Sequence, residues 1–112
     1  KPKDHGMENL IEGKITKGQK VVVVEDLIST GGSSLKACEA LKDAGFHVEG
    51  MVAIFNYGFK VAEDNFNKSH VKLVCLSNYS ELILKAETLG IVNASQVSSL
   101  GNWRTSPETW GK

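Results

Sequence analysis

The sequence of 112 residues predicts an α/β fold with an open parallel sheet and flanking helices. Three observations predict it: an unbroken run of valines, an alternation of strand-like and helix-like segments, and glycines at the ends of those segments. Because the valine run lacks polar alternation, it is typical of a strand that is covered on both faces, as in parallel sheets. Strands and helices that alternate imply right-handed crossovers between parallel strands.

The first predicted strand contains residues 21–24, and a helix follows it. Ser33 or Ser34 can cap this helix, and Gly45 ends it. The apolar side of the helix has a helical period and consists of Leu35, Cys38, Leu41 and Ala44. Residues 48–55 are largely apolar and form the second predicted strand.

A second helix is predicted from apolar residues that recur at helical spacing, namely Phe59, Ala62 and Phe66. The third strand is predicted over residues 71–76, which are again largely apolar. Ser77 or Asn78 can cap the third helix, and Gly90 ends it. The predicted order is therefore strand, helix, strand, helix, strand, helix.

A last helix is predicted to begin at Asn93, because Gln96 follows three residues later as in a capping box. Residues 103–110 are predicted to be irregular around Pro107. Three strands are few for an open sheet, and an unpaired edge invites pairing with another chain. We therefore expect either a segment that this chain lacks or an oligomer that covers the edge, and we favour the first.

Charge and composition argue against several classes of partner. Basic and acidic residues number 13 each, so the net charge is zero and no polyanion-binding surface is indicated. No apolar run approaches the roughly 20 residues that span a bilayer, and the first residues lack the apolar stretch of a signal peptide. We expect a cytoplasmic protein that binds neither nucleic acid nor membrane. Cys38 and Cys75 lack metal-ligand spacing, which favours two reduced core thiols.

The chemically informative segment follows the first predicted strand and reads Glu25, Asp26, Leu27, Ile28, Ser29, Thr30, Gly31, Gly32 and Ser33. Ligands of open α/β sheets bind beyond the carboxyl ends of the strands. The glycines let backbone amides converge, the hydroxyl groups add donors, and the next helix presents the positive end of its dipole. The segment has neither the lysine of a P-loop nor the spacing of a dinucleotide-binding loop, so it indicates a cradle for one phosphate.

Two carboxylates, those of Glu25 and Asp26, directly precede this cradle. They would repel a phosphate unless they serve another part of the same ligand, such as sugar hydroxyls or a bound cation. The pattern therefore favours a sugar phosphate as ligand. The alternative is a solvated strand end followed by an ordinary glycine turn.

Residues 21–33 resemble the phosphoribosyl-pyrophosphate (PRPP) signature of type I phosphoribosyltransferases, with hydrophobic residues, paired acids, two spacers and a Ser/Thr/Gly loop in order. Residues 1–6, Lys-Pro-Lys-Asp-His-Gly, resemble the K-x-K-x-H-G catalytic loop of orotate phosphoribosyltransferases. The similarity extends through residues 51–55, 77–80 and 103–104. The implied reaction is transfer of ribose 5-phosphate from PRPP to orotate in pyrimidine (UMP) biosynthesis, which gives orotidine 5'-monophosphate and pyrophosphate.

The resemblance also implies a domain organisation. Residues 1–112 would be the C-terminal portion of a single phosphoribosyltransferase domain that lacks its N-terminal part. Within it, residues 1–19 would be the catalytic lid and its lead-in, and residues 20–112 would be the α/β core with the C-terminal helices. The type I phosphoribosyltransferase core is thus the expected fold.

A role for each motif residue follows from the same resemblance. The 5'-phosphate would be held by the loop residues, which are Ser29, Thr30, Gly31, Gly32 and Ser33, with Leu27 and Ile28 in the same PRPP-binding stretch. Ser29 would also lie beside orotate. The implied catalytic residues are Lys3, His5, Glu25 and Asp26. Lys1, Lys3 and His5 would close over pyrophosphate across a homodimer interface, whereas Glu25 and Asp26 would face the ribose hydroxyls and are candidate neighbours of Mg²⁺ held mainly through PRPP.

One segment departs from the pattern of many orotate phosphoribosyltransferases, which place an arginine after the second of these strands to bind the orotate carboxylate. This chain reads Phe55-Asn56-Tyr57-Gly58 there. Two other functions stay open: phosphoribosyl transfer to another base, and a regulator that binds PRPP without turnover. Lys3 and His5 argue against both, because other phosphoribosyltransferases lack this lid pattern and a regulator needs no charged lid.

Overall fold

The computed structural model describes residues 11–111 and contains a three-stranded sheet in the order β1-β2-β3. The elements in chain order are β1 (Lys20–Ile28), α1 (Gly32–Asp43), β2 (His47–Asn56), α2 (Lys60–Ser69), β3 (Leu73–Asn78), α3 (Tyr79–Thr88) and α4 (Ala94–Thr105). Both strand pairs are parallel. The predicted α/β fold with an open parallel sheet and flanking helices is therefore confirmed.

The hydrophobic core lies between the sheet and the two crossover helices. Each strand lies beside its neighbour in sequence, and α1 and α2 both contribute residues to one core cluster, so they lie on the same side of the sheet, as crossovers of one hand require. The core is a single cluster of buried residues, namely Ile28, Leu35, Cys38, Met51, Ala53, Ala62, Phe66 and Val71. The described part of the sheet is therefore packed against helices on one side.

The other side of the sheet carries exposed aliphatic side chains. These are Val22, Val24, Val52, Ile54, Val74 and Leu76, of which Val24 is 77% and Leu76 is 76% exposed. The expectation that the valine strand is covered on both faces is therefore wrong within residues 11–111. Composition predicts an apolar environment for both faces, whereas the sequential strand order places both described crossover helices on one of them.

The start of α1 differs from the prediction. Its N-cap is Gly31, which has a left-handed φ of 84° and makes no side-chain capping bond. Ser33 and Ser34 lie inside the first turn, so neither is the cap. Helix α1 can begin two or three residues earlier than predicted because Gly31, without a Cβ atom, adopts the left-handed turn that redirects the chain.

The ends of the other helices follow their sequence signals more closely. Asn78 caps α3 by accepting a hydrogen bond from the Glu81 backbone N–H at 2.9 Å. Asn93 and Gln96 form the predicted capping box of α4, with both bonds at 2.9 Å. Gly45 has a left-handed φ of 99°, as expected just beyond the end of a helix.

Helix α4 extends through Thr105, so the prediction of an irregular segment from residue 103 is wrong for its first three residues. The Trp103 ring packs 5.4 Å from Tyr79 and 5.5 Å from Phe59 between ring centroids. This packing stabilises the last turn of the helix beyond what local sequence indicates. Within the described part of the chain, no helix combines the length and apolar character required to cross a bilayer.

The one-sided core makes a prediction about stability. Met51→Ala should lower the free energy of unfolding by about 2–5 kcal/mol because its side chain is buried among core residues. Val24→Ala, on the same sheet but exposed, should cost less than about 1 kcal/mol. Urea denaturation of the 112-residue chain measures both changes. Comparable losses at the two positions would contradict a core confined to one face.

Candidate functional site

Two loops meet at the carboxyl end of the sheet. Ile28 at the end of β1 is in register with Asn56 at the end of β2, so residues 29–31 and 57–59 leave the sheet side by side. The Tyr57 backbone N–H donates to the Ile28 carbonyl oxygen at 3.1 Å and ties the loops together. The two loops therefore lie next to each other at the carboxyl edge of the sheet, the edge beyond which open α/β sheets bind ligands.

Gly31 fixes the turn between β1 and α1. It is buried, and its left-handed φ of 84° strains any residue that has a Cβ atom. A Cβ atom at this position would also lie 2.7 Å from Cε2 of Phe66, a core residue of α2. Glycine is required here on both conformational and steric grounds. The neighbouring Gly32 has no such contact, since its nearest atom is Thr30 Oγ1 at 3.5 Å.

Hydrogen bonds hold the rest of the loop while leaving its surface open. Asn65 of α2 donates through Nδ2 to the Thr30 carbonyl oxygen at 3.1 Å. The Gly32 backbone N–H donates to Thr30 Oγ1 at 3.3 Å. The exposed members of the loop are Ser29, Thr30, Gly32 and Ser33. Because N–H groups in the first turn of a helix have no partner within it, this loop can offer donors and a positive dipole to an anion.

The paired acids leave β1 in different environments. Glu25 is half-buried and accepts a hydrogen bond from the Ser34 hydroxyl in the first turn of α1, whereas Asp26 is exposed. Successive strand residues point to opposite faces, which explains the difference. Leu27 is 45% exposed and Ile28 is fully buried, so Ile28 can take part in a site only through its backbone. The structure thus brings Glu25 into contact with the loop helix and leaves the Asp26 carboxylate accessible.

An aromatic cluster supports the second loop. Tyr57 stacks on Phe59 with ring centroids 5.4 Å apart and also contacts Phe55, Tyr79 and Trp103. Because its ring contacts Tyr79 and Trp103, the Tyr57 side chain packs against α3 and α4. Burial raises the pKa of Tyr79, the nearby Tyr57 hydroxyl raises this pKa further, and the positive charge of Arg104 opposes the increase.

Arg104 was not singled out as a site residue by the sequence, but it reaches the same loop. Its Nη1 atom donates to the Gly58 carbonyl oxygen at 2.7 Å, across a separation of 46 residues. Arg104 also lines a depression of about 220 Å³ together with Thr30 of the first loop and Phe59 of the second. The only sequence signal was the resemblance at Trp103 and Arg104, which specifies no spatial neighbour.

The predicted lid residues Lys1, Lys3 and His5 lie outside the described residues. Among residues 11–111, no three His, Cys, Asp or Glu side chains cluster in a manner that could hold a metal ion. Glu25 and Asp26, which were predicted to lie near a cation, are therefore not part of a three-ligand cluster within residues 11–111. Cys38 and Cys75 are free thiols, and burial raises the pKa of each.

Comparison with known proteins identifies the family. Residues 5–86 match the family defined as the phosphoribosyl transferase domain. The chain belongs to this family. It is 62% identical over all 112 residues to an orotate phosphoribosyltransferase of Cytophaga hutchinsonii and covers 54% of that protein. The chain thus spans about half the length of the curated relatives it matches.

Solved structures agree with this family assignment. The UMP synthase of Leishmania donovani superposes with a TM-score of 0.71 over 83% of this chain and 21% of its own, and at 24% identity it supports the fold. The Mycobacterium tuberculosis orotate phosphoribosyltransferase in complex with PRPP is 30% identical, with a TM-score of 0.54, over 60% of this chain and 41% of its own. The expected type I phosphoribosyltransferase core is therefore confirmed.

The two loop glycines allow a matched test of the turn. Gly31→Ala should lower the free energy of unfolding by about 1–3 kcal/mol, because it combines a left-handed backbone with a contact against Phe66. Gly32→Ala should be neutral or stabilise the chain by up to about 1 kcal/mol, because alanine favours a helix start with no steric conflict. Thermal and urea unfolding measure the difference. Equal effects at the two glycines would show that the left-handed turn is not a constraint.

Proposed function

We propose that the protein carrying this chain is an orotate phosphoribosyltransferase, which transfers ribose 5-phosphate from PRPP to orotate. In this reaction the bond from the anomeric carbon to pyrophosphate breaks, a bond from that carbon to an orotate nitrogen forms, and that nitrogen releases its proton. The observation that carries the proposal is the glycine-turn loop at the start of α1, which follows Glu25 and Asp26 after two spacer residues. The curated relatives, which bear the name orotate phosphoribosyltransferase, support the choice of base.

The loop residues would bind the 5'-phosphate of PRPP. Ser29, Thr30, Gly32 and Ser33 are exposed, and the N-terminal turn of α1 supplies N–H groups and a positive dipole end. Asn65 and Gly31 hold the backbone in place before any ligand arrives. A preformed cradle spares the ligand the free-energy cost of ordering the loop. Ser29, the loop residue nearest to β1, would also face the base.

The acids would act on the sugar. As pyrophosphate departs, the ribose ring gains positive charge, and fixed carboxylates nearby stabilise that charge. Asp26 is exposed and free to contact the ribose hydroxyls, while the Ser34 hydroxyl orients Glu25. We therefore propose a direct role for Asp26 and a role for Glu25 that is coupled to the first turn of α1.

Mg²⁺ is the cofactor that we propose. Carboxylate oxygens are ligands that Mg²⁺ prefers, so Glu25 and Asp26 fit this ion. Their number is too small for an all-protein site among residues 11–111, which fits an ion held mainly by the phosphates of PRPP. When bound, the ion would neutralise charge on the departing pyrophosphate.

The lid and the assembly complete the proposal. Lys1, Lys3 and His5 would cover pyrophosphate, with the lysines countering its charge and His5 donating a proton to one of its oxygens. A closing lid excludes water from the reactive sugar cation and opens for product release. We also propose a cytoplasmic homodimer in which the lid of one subunit serves the site of the other. PRPP and orotate would be its small-molecule partners.

Asp26→Asn tests the role of the exposed acid. The natural full-length polypeptide that contains this chain should consume orotate in the presence of PRPP and Mg²⁺, followed by ultraviolet absorbance. Asp26→Asn should lower kcat/KM by roughly 100- to 1000-fold, because it removes a charge that stabilises the transition state. Asp43→Asn, at the exposed end of α1, is the matched control and should leave activity unchanged.

The outcomes separate the candidate functions. If the unsubstituted protein transfers ribose 5-phosphate to another base but not to orotate, the proposed substrate is wrong. PRPP binding without turnover of any base would instead indicate a regulator. An Asp26→Asn enzyme as active as the Asp43→Asn control would remove Asp26 from the mechanism.

A further inference from the structure

Arg104 is the sole arginine of the sequence, and the fold brings it to the candidate site from a distant helix. It belongs to the last turn of α4, yet its Nη1 atom donates to the Gly58 carbonyl oxygen at 2.7 Å. Gly58 follows Tyr57, whose N–H is bonded to the end of β1. The guanidinium group therefore lies at the same sheet edge as the predicted phosphate loop.

The charge of Arg104 is not neutralised by the described residues. Its one hydrogen-bond acceptor among residues 11–111 is a neutral carbonyl group, and no carboxylate of that range forms an ion pair with it. Glu108 lines the same depression without pairing with it. A guanidinium group has several N–H donors in a planar fork, so a single bond to Gly58 leaves donors for a ligand.

The other cation of this depression is already engaged. Lys60 Nζ lies 3.0 Å from Asp64 Oδ1 and 3.6 Å from Glu63 Oε1, and its side chain is 78% exposed. Arg104 is half-buried, so an anion that binds to it meets less competition from water. Of these two cations, Arg104 is the one that has donors left for an anion and is partly shielded from water.

We propose that Arg104 binds the carboxylate of the base substrate and thereby selects an acidic pyrimidine over a neutral one. This inference rests on the proposed function, because orotate differs from uracil by a carboxylate that needs a cation. Thr30 and Arg104 line one depression of about 220 Å³, which places the cation beside the predicted phosphate loop. Tyr57 does not take this role, since its ring is packed in the aromatic cluster.

The bond to Gly58 gives Arg104 a defined position for this task. A guanidinium group anchored at one nitrogen loses little further side-chain freedom when it binds a carboxylate through its other donors. The aromatic cluster holds both ends of this contact. Phe59, the residue after Gly58, packs against Trp103, the residue before Arg104. Recognition of the acid is thus built from two elements, the loop after β2 and the last turn of α4.

Arg104→Gln in the natural full-length polypeptide tests the inference with two substrates of similar shape. These are orotate and orotamide, in which a neutral amide replaces the carboxylate. The substitution should lower kcat/KM for orotate by roughly 10- to 100-fold, the range expected for a lost charged hydrogen bond. The value for orotamide and the KM for PRPP should not change. Lys85→Gln, a surface change on α3, is the matched control and should alter neither substrate.

Lys60→Gln and Arg104→Lys complete the series. Lys60→Gln should leave kcat/KM for orotate unchanged. If it lowered kcat/KM for orotate but not for orotamide, the role would belong to Lys60 and the inference would be overturned. Arg104→Lys keeps the charge without the planar fork, so it should lower kcat/KM for orotate less than Arg104→Gln does. It also provides the test if Arg104→Gln does not fold.

Two further results would overturn the inference while leaving the proposed function intact. If Arg104→Gln lowered kcat/KM equally for orotate and orotamide, Arg104 would only hold the Gly58 loop. If it lowered kcat/KM for neither substrate, Arg104 would not be part of the site. In both cases the unsubstituted enzyme still uses orotate. An unsubstituted enzyme that transfers ribose 5-phosphate only to a neutral base would refute the proposed function and this inference together.

Discussion

The left-handed turn at Gly31 is the constraint on which the candidate site depends. Its φ of 84° lets β1 end at Ile28 and α1 begin at Gly32, and its missing side chain lets Phe66 of α2 pack against the loop. Asn65 of the same helix holds the Thr30 carbonyl group. Helix α2 therefore supports the predicted phosphate loop through a core contact and a hydrogen bond, which couples the candidate site to the hydrophobic core.

Features that depend on short segments could be predicted from the sequence. The acids, the glycine turn and the start of the helix after them lie within a dozen consecutive residues, so their order alone predicts a phosphate cradle at a strand end. The capping box at Asn93 and Gln96 is likewise local. The cap of α1 was missed because hydroxyl residues are common helix caps, while the preference for Gly31 arises from its backbone angle and its contact with Phe66.

Features that depend on distant residues could not be predicted in this way. The bond from Arg104 to Gly58 spans 46 positions, and only the fold shows that the two residues meet. The extension of α4 to Thr105 depends on packing of Trp103 against Tyr79 and Phe59. The open face at Val24 and Leu76 follows from strand order, which a run of valines does not encode.

Backbone amide chemical shifts during titration with ribose 5-phosphate test the phosphate cradle most directly. The natural full-length polypeptide should show its largest changes at Thr30, Gly31, Gly32 and Ser33, and ribose without phosphate should not reproduce them. A depression of about 440 Å³ between α2 and β3, lined by Phe59, Phe66 and Leu73, offers an alternative location. Changes concentrated there, with the loop amides unaffected, would contradict a phosphate site at the start of α1.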